Sequence, residues 1–309
     1  MRPVSILLSV LLCGIGAPLM AQDAPSPDAA SEGGDTVIVS GQRDRRAAIV
    51  AFVQAVTVET DDQIARFDAP ACPLSIGLPP SYGRVIESRL RAIADRIGLG
   101  TGNRHCRPNI VIVAARAGAD FVAQLRRHRP ELFGSLDPVD LRRIDRQPGP
   151  VRAWQAIEPR SRDGRPLEEA SWLSIDGGAG PYIGRHRTNP TTSLSLTSTP
   201  TRQAIALVFV VIDSAALEGL TLRQIADHAA MRAFARTRST ESTGGRSILG
   251  LFADRQAGLP LADELTDWDM AYLTGLYRTA GDVKAALQKS AIGTFMRQTL
   301  EREAARPAP

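Results

Sequence analysis

The chain has 309 residues, of which 43% are apolar and 23% charged, and its formal net charge is +4 at pH 7. This is the balance of a globular protein with one large domain or two small ones, long enough to bury a core. The charge is too small to imply a nucleic-acid partner, and the basic residues are nearly all arginine, with lysine only at Lys284 and Lys289.

Met1 and Arg2 open the chain with positive charge, and Val4 to Leu12 form an apolar run. Gly14, Gly16 and Pro18 break it, and Ala21 ends it with a small residue. A charged start, a short apolar stretch and a small-residue exit describe a signal peptide over residues 1–21. The run is shorter than the roughly 20 apolar residues that span a bilayer. The expected location is therefore periplasmic or secreted, with a retained anchor as the alternative. Leu11 and Leu12 before Cys13 do not supply the small pair that a lipoprotein signal needs.

Cys13 leaves with that segment. Cys72 and Cys106 remain, and an even pair in an oxidising compartment reads as one disulfide, the alternative being two buried thiols. Residues 22–44 read as a flexible linker, polar at first and then carrying Val37-Ile38-Val39 as a short strand. Residues 45–304 read as a single α+β domain with a candidate sub-boundary near 150. Residues 305–309 read as a disordered end.

Arg45 to Val58 has a helical apolar stripe at Ile49, Phe52, Val53 and Val56. Tyr82 to Leu99 is the clearest amphipathic helix, with Val85, Ile86, Leu90, Ile93 and Ile97 at helical spacing and Ser81 as a candidate cap. Asn109 to Ala115 reads as a buried strand, and Ala119 to His128 as a helix. Asp137-Pro138 places an N-cap before a proline at the first helical position. Basic runs such as 126–129 and 142–143 alternate with acidic residues and read as solvated helix faces.

Beyond Gly149-Pro150, Val151 to Ile157 and Thr192 to Ser198 read as strands, with a turn at Thr199 to Arg202. Ala204 to Asp213 is apolar and rich in valine and isoleucine, as a central strand is. Thr221 to Gln224 is a capping box that opens a helix to about Arg236. Thr266 to Thr279 and Asp282 to Ala304 complete the helices. The expected class is α+β, with helices packed on a mostly antiparallel sheet.

No motif assigns a catalytic residue, a metal site or a cofactor. There is no G-x-S-x-G elbow, no S-x-x-K and no P-loop. Asp176 to Pro181 is Gly-rich, but Pro181 and Ile183 spoil a dinucleotide fingerprint, and a turn or loop beside Trp172 and Tyr182 fits better. The carboxylate pairs Asp61-Asp62 and Glu168-Glu169 read as surface residues. His105, His128 and His186 stand beside a bonded cysteine or among arginines.

Residues of about 200–280 carry a suggestive order: a buried strand, a helix, then Ser247-Ile248-Leu249, then Leu265-Thr266 with Asp269, Leu273, Leu276 and Tyr277. This order resembles the C-terminal part of zincin-like metalloprotease domains, which implies a zincin-like fold. Such a domain carries His-Glu-x-x-His on its active-site helix. Here the window is His228-Ala229-Ala230-Met231-Arg232. Ala229 cannot take a proton, and Arg232 offers no lone pair to a metal. The pair His228 and Arg232 is thus a candidate vestigial site, the alternative being an ordinary helix histidine.

Asp35 to Arg43 resembles the TonB-box segments of outer-membrane receptors, which implies a periplasmic or envelope partner docked on Val37, Ile38 and Val39 by β-augmentation. The alternative is the first strand of the protein's own sheet. The chain as a whole resembles exported proteins of alphaproteobacteria, which implies location and little about activity. Two readings stay open: a soluble, non-catalytic periplasmic binding or interaction protein, and a divergent zincin-like metal-dependent hydrolase. In a third, the N-terminal strand serves envelope assembly.

Overall fold

The structure, a computed structural model, describes residues 34–134, 136–174, 182–188, 198–238 and 242–305. The signal segment, residues 22–33 of the linker, the Gly-rich 176–181 stretch, residues 192–197 of the expected strand and residues 306–309 lie outside the described residues. The chain divides into two compact units, Met1–Asp44 and Arg45–Pro309. The second contains everything from the middle of the first helix onward.

Helix α1 spans Gly34–Val56. Val37, Ile38 and Val39 are therefore helical, which corrects the expected extended strand. No proline interrupts the segment, and a β-branched residue costs a helix only about half a kcal/mol relative to alanine. The helix that begins to be legible at Arg45 continues backward instead of breaking.

The first half of the second unit runs through β1 (Arg66–Phe67), β2 (Pro73–Ile76), α2 (Pro80–Arg96), β3 (Ile110–Ala115), α3 (Gly118–His128), α4 (Pro138–Asp145) and β4 (Val151–Ser161). Strands β5 (Glu168–Ser174) and β6 (Tyr182–Thr188) follow, then β7 (Thr201–Asp213), α5 (Leu222–Phe234), α6 (Leu251–Gln256), α7 (Asp267–Arg278) and α8 (Ala285–Ala304). Among the described residues no helix is long and apolar enough to cross a membrane.

The long strand β7 organises a five-stranded sheet. β1 and β3 pair with it in parallel, at Ala204–Ile205 and Val208–Asp213, and β2 pairs in parallel with β3. β4 runs antiparallel along its other edge. The helix-and-sheet class is as expected, but the sheet is mostly parallel, which corrects the antiparallel expectation. β2, α2 and β3 make a crossover unit, and such units place helices on the sheet faces.

Both faces of the sheet are covered, and the residues alternate between them. Ile110, Ile112, Val208, Val210 and Ile212 face a core shared with α1, α2, α5, α7 and α8. Val111, Val113, Phe209 and Val211 face a second core with Val122 of α3, Ile144 of α4 and Trp154 of β4. Trp154 is stacked between Phe133 and Phe209, with ring centroids 4.8 Å away on each side. Two-sided burial explains why β3 and β7 read as continuous apolar runs.

α2 starts with Pro80 at its first turn and has no side-chain cap, so Ser81 is not the N-cap. Ile86, Leu90 and Ile93 on its inner face are fully buried, each worth about 1.5–3 kcal/mol of transfer from water. Cys72 and Cys106 are bonded, with Cα atoms 6.0 Å apart. Gly77 has φ +80°, and a Cβ there would lie 2.1 Å from the Ala114 carbonyl oxygen, so the β2–α2 turn admits only glycine.

β5 and β6, which carry Trp172 and Tyr182, pair antiparallel; the Gly-rich stretch read as a turn or loop beside them lies outside the described residues. β7 already begins at Thr201, so the turn expected at Thr199–Arg202 is partly strand.

Candidate functional site

Helix α5 is positioned at both ends. At its start, the Thr221 hydroxyl accepts from the Gln224 amide at 3.1 Å and the Gln224 side chain accepts from the Thr221 amide at 3.0 Å. This satisfies two of the helix's orphan donors. Asp227, without solvent exposure, receives Arg89 of α2 through Nε at 2.7 Å and Nη2 at 2.8 Å. Its Oδ2 also accepts from the Leu265 amide at 2.8 Å. Gln155 of β4 donates to the Arg232 carbonyl at 2.8 Å near the helix end. The helix is thereby tied to α2, to the segment before α7 and to β4.

His228 and Arg232 lie one turn apart, 4% and 5% exposed. The His228 ring packs edge-on against Phe252, centroids 4.9 Å apart. Its Nδ1 is buried without a hydrogen-bond partner. Burial, with the Arg232 charge added, pushes its pKa down to about 3, so the imidazole is neutral. Burial also lowers the Arg232 guanidinium to about 10, which still leaves it a cation at neutral pH.

Arg232 Nη1 donates to the Thr237 carbonyl at 3.0 Å, the Thr237 hydroxyl at 3.1 Å and the Arg238 carbonyl at 2.7 Å. Nη2 reaches Gln147 Oε1 only at 3.5 Å, and Nε has no partner. Four buried side-chain nitrogens lack partners among the described residues: Nε of Arg152, Arg160 and Arg232, and Nδ1 of His228. His228 and Arg232 are the two buried residues of that set.

The two side chains border different spaces. His228 and Arg232 together line a cavity of about 130 Å³, walled by Pro148, Val151, Leu249 and Phe252. Arg232 also lines a cleft of about 800 Å³ between α4, β4 and the chain leaving α5. Gln147 sits at this junction. Its amide accepts from the Ala153 N–H at 2.8 Å and donates to the Ala153 carbonyl at 2.7 Å, on the side of β4 away from β7.

The residues carrying the zincin resemblance come together mainly as core. Asp269, unexposed, accepts from the Ser247 hydroxyl at 2.5 Å and the Ile248 amide at 2.9 Å. It also accepts from the Thr266 amide and hydroxyl, each at 3.0 Å. Burial nevertheless pushes its carboxyl upward, against these donors. Leu249, Leu265, Leu273 and Leu276 are buried in the main core, and the Tyr277 hydroxyl donates to the Phe234 carbonyl at 3.0 Å. Asp254, also unexposed, gathers the preceding loop: Ser242, Thr243, Gly244 and Gly245 all donate to its carboxylate.

The remaining polar residues do not converge on this site. His105 and His128 are exposed, and the side chain of His186 lies outside the described residues. Asp61 and Asp62 are exposed, with φ +48° and +56°. Glu168 and Glu169 belong to β5, and their side chains are also outside the described residues. Among the described residues, no group of three His, Cys, Asp or Glu side chains is placed to hold a metal ion. Of His228 and Arg232 only His228 offers a ligand atom, so the pair does not fit a zinc ion, which needs about three protein ligands.

Of the arginines in the large cleft, the sequence marks Arg232 as a candidate site residue and presents Arg142-Arg143 as a solvated helix face, while Arg146, Arg236 and Arg238 carry no signal there. Arg142, Arg143 and Arg146 come from α4 and its end, and Arg232, Arg236 and Arg238 from α5 and beyond. Their helical spacing within each segment is visible in the sequence, but their convergence is not. The chain matches no family model, no curated protein and no solved structure.

Proposed function

We propose that this chain is a non-catalytic binding protein of an oxidising, extracytoplasmic compartment, with its ligand site at the His228–Arg232 junction. The observation that supports this most is Arg232. A hydrolase built on this helix would need a metal ligand one turn after His228. The chain instead has a guanidinium there, anchored on the Thr237 and Arg238 carbonyls, with Ala229 in place of a general base. The Cys72–Cys106 bond supports the oxidising compartment.

The second reading, a divergent zincin-like hydrolase, is favoured by one observation: a neutral buried histidine borders a small cavity beside the start of β4. Incubation of the full chain with a peptide library and zinc, read by mass spectrometry, separates the two. The binding reading expects no cleavage that depends on His228. Cleavage that disappears in His228→Ala, with the fold intact, overturns it.

A further inference from the structure

We infer that the cleft between α4, β4 and the end of α5 binds a soluble ligand carrying two or more phosphate or carboxylate groups, with Arg232 at its floor. This rests on the binding reading above and names its ligand class. The cleft is lined by Arg142, Arg143, Arg146, Arg232, Arg236 and Arg238, against two carboxylates, Glu59 and Asp140. Both carboxylates are already engaged. Asp140 is shared by Arg143 at 2.5 Å and Arg236 at 3.1 Å, and Glu59 is paired with Lys289. Arg142, Arg146, Arg232 and Arg238 make no ion pair among the described residues.

Arginines near the ends of α4 and α5 have a structural role, since they complement helix dipoles and bind terminal carbonyls. Arg232 Nη1 instead fixes the chain just beyond α5, through the Thr237 and Arg238 carbonyls, and the opposite edge of the guanidinium is left unexplained. On that edge Nε has no partner and Nη2 has one acceptor at 3.5 Å. Elsewhere in this protein the same edge of Arg89 holds a carboxylate side-on, at 2.7 and 2.8 Å. Burying a cation without a counter-ion is costly, and two parallel bonds from one guanidinium edge suit a carboxylate or phosphate.

A single small oxyanion would neutralise too little of this charge. The volume of about 800 Å³ also exceeds what one oxyanion fills, and lies within the usual range of small-molecule sites, about 300–1,000 Å³. Exposed Arg142 and Arg146 stand at the mouth, and buried Arg232 lies at the floor. A ligand with several anionic groups can engage both levels.

The test is calorimetric titration of the full chain with tripolyphosphate and, separately, with citrate, at about 0.15 M salt, where exposed charges are well screened. The two probes distinguish phosphate from carboxylate preference. Saturable one-site binding of at least one probe is expected. It should weaken roughly tenfold or more in the double variant Arg142→Gln/Arg146→Gln, as loss of charge-assisted hydrogen bonds does. Both positions are exposed, so the fold is not at stake. Arg297→Gln on α8 should bind as the unaltered chain does. Absence of binding by both probes, or equal binding by the double variant and the unaltered chain, overturns the inference. Equal weakening in Arg297→Gln overturns it as well, by showing non-specific attraction. Failure here without His228-dependent cleavage leaves the binding reading standing; cleavage with intact anion binding removes that reading alone.

Discussion

Arg89 of α2 grips Asp227 of α5 side-on, Nε to Oδ1 at 2.7 Å and Nη2 to Oδ2 at 2.8 Å. Asp227 immediately precedes His228, so this pair sets where the candidate site stands relative to the sheet. Arg89→Ala removes the guanidinium and leaves Asp227 buried with the Leu265 amide as its remaining donor. Losing one member of a buried pair costs about 3–5 kcal/mol. A urea unfolding curve should show a loss near the lower end of that range, because the Arg89 side chain is 24% exposed. A loss below about 1 kcal/mol, the scale of a surface pair, contradicts the assignment.

The Cys72–Cys106 bond closes a loop over a sequence separation of 34. In the chain-entropy account such a bridge stabilises by about 3–4 kcal/mol. The double variant Cys72→Ser/Cys106→Ser should lose stability of that order, and added reductant should destabilise the unaltered chain but not the variant. A stability equal to that of the oxidised chain contradicts the prediction.

His228 predicts a pH effect of definite sign. Its pKa falls from the ordinary 6.5 to about 3 because burial penalises the imidazolium. The unfolded chain therefore takes up a proton that the folded chain refuses. Its contribution is fully present above pH 6.5 and is lost as the pH falls from 6.5 towards 3. Within that window the loss from this group approaches roughly 1.4 kcal/mol per pH unit. Asp269, whose carboxyl is pushed upward, acts in the opposite direction, so the difference between proteins is the proper readout. His228→Leu should flatten the acid side of the stability profile by about one proton. Parallel profiles for the two proteins contradict it.

Asp254 holds the loop that leads into α6. Burial opposes its charge, but the Ser242 hydroxyl and the amides of Gly244, Gly245 and Thr243 outweigh it and keep its carboxyl below the usual range. Asp254→Asn should cost about 1–3 kcal/mol and speed amide hydrogen exchange at Thr243 to Gly245. Unchanged protection there contradicts the anchoring role.

Local chemistry was legible in the sequence, and long-range placement was not. The apolar stripe of α2, the run of β3, the Asp137 cap and the Thr221 capping box all stand where residue patterns put them. These features depend on neighbours within a turn or two. Parallel pairing of β2 with β3 depends on a crossover through α2, which composition does not encode. Val37 to Val39 look like a strand locally, yet the helix continues through them. The clearest miss is the cleft. Arg142-Arg143 alone resembles a solvated helix face, and becomes part of a cationic wall only when the fold brings α4 against the end of α5.

On the proposed function, Arg232 stands on α5 where a zincin-like hydrolase would carry a metal ligand. That reading is tested most directly by the zinc content of the purified full chain, dialysed without chelator. No zinc above background is expected, and no change in His228→Ala. One zinc per chain, lost in His228→Ala, would contradict it.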